Sequence, residues 1–104
     1  MTAEDARRLA LALPDAVEQD HHGRPSFRVA GKIFATLWDE LTMNVMVDEP
    51  GIRTAVDTHA EWCTERYWGR RLAAVAVDLP RAPERELAEL LADAWETKAG
   101  RPAK

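Results

Sequence analysis

Six cations fall in two acid-poor segments of a chain that is acidic overall. Arg24, Arg28 and Lys32 lie between His21 and Trp38 with no Asp or Glu among them. Arg66, Arg70 and Arg71 lie between Trp62 and Val77 against Glu65 alone. The formal net charge is -4, so the rest of the chain is more acidic still. A negative total does not predict a nucleic-acid binder, but the distribution of charge matters more than its sum. If the two basic segments adjoin, they form one patch beside Tyr67 and Trp68. Its cations would neutralise phosphates, and its aromatic faces could stack on bases. The competing expectation is six solvated cations paired with Asp20, Glu40 or Glu65. No helix-turn-helix, zinc finger or RNA-binding signature is present.

Other chemistries find less support in the residues. Trp38, Trp62, Trp68 and Trp95 are many tryptophans for 104 residues. Phe34, Trp38 and Trp68 are the candidates to line an apolar ligand pocket, with burial the competing fate. His21 and His22 are adjacent, and adjacent strand residues point to opposite faces, which disfavours shared chelation. His59 and Cys63 have helical spacing for two metal ligands, but no third or fourth ligand is evident. Cys63 would need a base and a depressed pKa to act as a nucleophile, and His59 is the sole candidate base. The acids of the first helix and of Asp15 to Asp20 are few and interrupted by Arg7 and Arg8, which argues against an iron-binding row. The "VAGK" of Val29 to Lys32 lacks the remaining glycine and the Ser/Thr of a phosphate loop. The expectation is no catalytic residue, no metal and no cofactor.

The elements that must position these residues are legible from periodicity. Thr2 to Leu13 reads as a helix with Ala6, Leu9, Ala10 and Leu13 on one stripe, a Thr2–Asp5 capping box and Pro14 as its stop. Asp15 to Asp20 reads as a short edge strand or connector. Gly23 permits a bend, and Pro25 keeps the chain extended beyond it. Ser26 to Ala30, Lys32 to Trp38 and Met43 to Val47 alternate as strands of an antiparallel meander, with reversals at Ala30-Gly31 and Asp39-Glu40. Strand Lys32 to Trp38 carries Ile33, Ala35 and Leu37 on one face and Phe34, Thr36 and Trp38 on the other. Helices cover only one face of such a sheet. One of the two sets therefore meets a loop, a sheet edge, a second copy of the chain or a ligand.

A short helix follows Asp48 or Glu49, with Pro50 at its first position. Ala60 to Arg71 reads as a loop with a short strand at Cys63 to Arg66. Leu72 to Leu79 reads as a buried strand. Pro83 to Lys98 is the clearest helix, with Leu87, Leu90, Leu91, Ala94 and Trp95 on one stripe and Gly100 closing it. The terminal Arg101 to Lys104 is expected to fray. Strands between two terminal amphipathic helices predict a two-layer α+β fold with both helices on one face.

The strings "HHGRPSFRVAGKIFATLW", "MNVMVD", "WGRRLAAVAVDLP" and "LAELLADAWETKA" resemble the MmcQ/YjbR family over roughly Ala3 to Lys98. The most specific matches are Phe27 with Gly31-Lys32 and Phe34, and "LADAW". Many members have Ser-Tyr where this chain has Ala94-Trp95. The resemblance implies a CyaY/frataxin-like arrangement over a single domain, 1–104. It also implies DNA binding through a double-wing sheet, and an association of the family with an antibiotic gene cluster implies small-molecule binding.

The length implies one domain, and the lone Cys63 excludes an internal disulfide and fits a reducing compartment. No apolar run approaches the roughly 20 residues needed to span a bilayer. The start of the chain lacks a cleavable signal pattern. The expectation is a cytoplasmic, non-enzymatic binding protein, monomeric or weakly homodimeric, that uses the six cations to hold DNA. The second expectation is a small-molecule module on the sheet.

Overall fold

The computed structural model describes residues 1–102. Helix α1 (Ala3–Leu11) starts where the sequence places it. The Thr2 hydroxyl accepts from the Asp5 amide at 3.1 Å, and the Asp5 carboxylate accepts from the Thr2 amide at 3.0 Å. That backbone bond, with the Thr2 hydroxyl and the Arg8 charge, holds the Asp5 carboxyl below its ordinary pKa. The helix ends at Leu11, two residues short of expectation, and Ala12 caps it. The connector that follows is fixed by Trp95, whose indole N–H donates to the Pro14 carbonyl at 2.9 Å.

Six strands follow: β1 (Val17–His21), β2 (Arg24–Val29), β3 (Lys32–Leu37), β4 (Thr42–Val45), β5 (Cys63–Trp68) and β6 (Arg71–Asp78). They form one antiparallel sheet in the order β1-β2-β3-β4-β6-β5. Helix α2 (Glu49–Thr58) links β4 to β5, and α3 (Glu84–Ala99) ends the fold. Asp48 caps α2 through the Gly51 amide, and left-handed Gly100 closes α3. The segment Ala60 to Arg71, expected as a loop with a short strand at Cys63 to Arg66, carries that strand two residues further, to Trp68. Tyr67 and Trp68 complete β5 as an edge strand that reverses at Gly69-Arg70 into β6. Alternation is hard to see there because most of β5 is exposed.

Strand register explains which side chains face the helices. Phe27, Ala35, Val45 and Val75 are cross-strand partners, as are Leu37, Met43, Val77 and Cys63. Both rows lie in the core with Ala6, Ile52, Leu87, Leu91 and Trp95 of the helices. All three helices therefore cover one face. A bulge corrects the expected split of β3. Phe27 pairs with Ala35 but Arg28 pairs with Ile33, which leaves Phe34 without a partner in β2. The extra residue shifts the alternation. Phe34 joins Ala35 in the core, fully buried, and Ile33 turns to the other face.

Two hairpin turns use left-handed backbone. Ala30 (φ 52°) and Gly31 (φ 77°) join β2 to β3, and His22 (φ 55°) and Gly23 (φ 83°) join β1 to β2. Positive φ at both positions marks the type I′ turn that matches strand twist. Given the antiparallel order, the β2–β3 and β5–β6 tips point from the same end of the sheet. The β1–β2 tip lies at the opposite end. Among the expected frayed residues, Arg101 instead pairs with Asp15 at 2.8 Å and lies 4.8 Å from the Trp95 ring centre. Ala103 and Lys104 lie outside the described residues.

Candidate functional site

The face that the helices leave uncovered is not apolar. One cross-strand row runs Gln19, Ser26, Thr36, Asn44, Ala76, Thr64 through all six strands. Its central members Ser26, Thr36 and Asn44 are nonetheless buried. Two guanidinium groups account for part of this. Arg28 Nε donates to the Ser26 hydroxyl at 3.1 Å, and Arg66 Nε donates to Asn44 Oδ1 at 3.2 Å. Arg24 Nε donates to the Trp38 carbonyl at 2.9 Å, and its guanidinium lies 3.9 Å from the Trp38 ring centre. Arg66 approaches the same ring at 5.1 Å. Arg71 stands 5.8 Å from the Trp68 ring centre. These are cation–π distances, in which a cation meets the negative face of an aromatic ring.

Between these groups lies a cleft of about 360 Å³. Thr36 and Asn44 are its polar floor, and Ile33, Met46, Trp38 and Trp68 supply apolar and aromatic surface. His21, His22, Arg24, Arg71 and Lys98 complete the lining. Among the described residues no carboxylate lines it. The small side chains of Ala74 and Ala76 in β6 leave the sheet low on this side, while Val75 and Val77 fill the core on the other.

The ion pairs divide the chain's arginines in two. Arg7, Arg8, Arg53, Arg81, Arg85 and Arg101 each pair with a carboxylate. Among the described residues, none of Arg24, Arg28, Lys32, Arg66, Arg70 and Arg71 has a carboxylate within 4.0 Å. Glu65, expected as a partner for this patch, turns instead to Arg53 and Tyr67. The fold brings Arg24, Arg28, Arg66, Arg71, Trp38 and Trp68 onto one face. Lys32 and Arg70 stand at the two hairpin tips that share one end of the sheet. Phe34 lies in the helix-covered core, apart from this surface.

His21 and His22 also depart from expectation. Positive φ takes His22 out of the strand, and the two rings come to 4.4 Å, side by side at the cleft. Among the described residues no three His, Cys, Asp or Glu side chains gather as metal ligands. His59 stacks on Trp62. The buried Cys63 thiol is pushed up to about 12 by desolvation, with the Glu61 charge adding to it. A thiol so protonated is a poor nucleophile. Asn44 and Lys98 escaped the sequence reading. The available signal was a polar residue at the centre of "MNVMV", flanked by core positions on both sides.

A family comparison decides the lineage of this arrangement. Residues 11–97 match the YjbR family model. The chain belongs to the YjbR family. The YjbR frame is also similar to the crystal structure of Deinococcus radiodurans protein DR2400, which carries the family-model domain DUF419. The TM-score is 0.75, at 20% identity over 99% of this chain and 91% of that one. At that identity the likeness is one of fold. A search of curated proteins finds no match. No helix among the described residues is long and apolar enough to cross a membrane.

Proposed function

We propose that this YjbR protein is a non-enzymatic DNA-binding protein that engages its partner through the uncovered sheet face. The observation that carries this reading is the division of the arginines. Those elsewhere on the surface are neutralised by carboxylates, while the five on this face and its hairpin tips are left for an external anion. An acidic chain that leaves these cations without a described carboxylate within 4.0 Å is organised to accept phosphates there and to repel them elsewhere. The exposed faces around Trp38 and Trp68 add stacking surface, the second element of a single-strand platform. Lys32 and Arg70, at tips pointing from one end, act as paired wings that extend the contact along the backbone. A small-molecule module is the second reading, and the enclosed floor of the cleft favours it.

Fluorescence anisotropy of end-labelled single-stranded and duplex DNA, titrated with protein at low and moderate salt, tests the reading. Saturable binding that weakens steeply as salt rises is the expected result. No binding at low salt, where screening is least, would overturn it.

A further inference from the structure

We infer that the cleft on the sheet face is a pocket for one unpaired nucleotide that presents a ring carbonyl, whether free or within a single strand. The inference rests on the reading of this face as a nucleic-acid surface and names what the face recognises. Asn44 is fully buried at the cleft floor, and its side-chain Nδ2 has no hydrogen-bond partner. Its Oδ1 accepts from Arg66 Nε, which fixes the amide with its Nδ2 donor unpaired. An orphaned buried donor costs stability unless something accepts from it. The Thr36 hydroxyl lies beside it in register.

The surroundings specify the rest of the ligand. Trp38 and Trp68, with guanidinium groups stacked on or near them, offer surfaces for a flat ring. Arg24, Arg71 and Lys98 in the lining, with no carboxylate beside them among the described lining residues, suit an anionic tail. The volume of about 360 Å³ falls within the roughly 300–1,000 Å³ of small-ligand sites. A planar ring with an acceptor at its edge and a phosphate at its tail meets all three demands. With the amide held by Arg66 through one lone pair of Oδ1, the paired contact that a free amide makes with adenine is disfavoured. A lone donor suits a ring carbonyl, which thymine, guanine and cytosine present and adenine lacks.

The test is tryptophan quenching by oligothymidylate, oligoadenylate, duplex DNA, thymidine 5′-monophosphate and inorganic phosphate. The variants are Asn44→Asp, which keeps an acceptor for Arg66 but replaces the free donor, and Arg53→Ala as a control on α2. A thermal melt of Asn44→Asp confirms that the variant is folded. The wild type is expected to bind oligothymidylate more tightly than duplex. Asn44→Asp is expected to lose at least about tenfold in that affinity and to lose the preference for thymidylate over adenylate, while Arg53→Ala is unchanged. Salt-sensitive DNA binding that Asn44→Asp leaves intact would overturn the pocket while sparing the DNA-binding reading. Quenching by the free nucleotide that Asn44→Asp abolishes, without binding of either DNA form, would support the pocket and overturn the DNA-binding reading. Inorganic phosphate matching the nucleotide in affinity would overturn the pocket, since it would mean recognition of charge alone.

Discussion

Trp95 ties separate parts of the chain together. Its ring is fully buried on α3, its N–H donates to Pro14 beyond α1, and Arg101 lies over it. A buried indole finds a partner for its N–H because an unmade bond there is costly. Trp95→Phe should keep most of the packing, remove that bond and leave a gap. The expected loss is about 1–3 kcal/mol, read as a lower urea midpoint. An unchanged midpoint would mean that the contact is incidental. Cys63 is the second residue with a sharp expectation. Its thiol, buried and pushed up to about 12, should react with a thiol reagent at pH 8 on the order of 100-fold more slowly in the native than in the unfolded protein. Equal rates would place it at the surface.

The β2–β3 hairpin shows what an element requires of its turn. Ala30 holds φ 52°, a region that costs an L-residue about 1–2 kcal/mol and that Asn tolerates better. Ala30→Asn should therefore stabilise the fold by about 0.5–1 kcal/mol, visible as a higher melting temperature. A fall would mean that the methyl group packs. The turn itself was legible from Gly31, and so were both terminal helices from their apolar stripes. The bulge at Phe34 was not legible. A single extra residue leaves no mark in a run as apolar as "KIFATLW", yet it exchanges the faces of Ile33 and Phe34. The edge strand β5 was also obscured, since an edge strand with little to bury shows no alternation. Pairing of β6 between β4 and β5 is a long-range choice that local pattern does not encode.

At the scale of the molecule, one sheet serves two purposes. Its helix-covered face supplies the core, and its other face carries a buried polar row roofed by arginines. Sequence counting located the six cations and the two relevant tryptophans. It did not reveal that carboxylates avoid them, because ion pairing depends on where Glu65, Asp15 and Glu18 come to rest in three dimensions. Nor did it single out Asn44, whose importance comes from Arg66 reaching across β6 to take its oxygen. If the unpaired cations form the binding surface, DNA affinity depends on them and on salt together. The most direct test is the slope of log affinity against log salt for single-stranded DNA, comparing wild type with Arg28→Gln/Lys32→Gln and with the control Arg7→Gln/Arg53→Gln. Each phosphate contact contributes about 0.7 to that slope. The expected result is a steep wild-type slope, a slope shallower by roughly 1–1.5 for the first variant, and no change for the control. A slope near zero, or one altered equally by both variants, would contradict it.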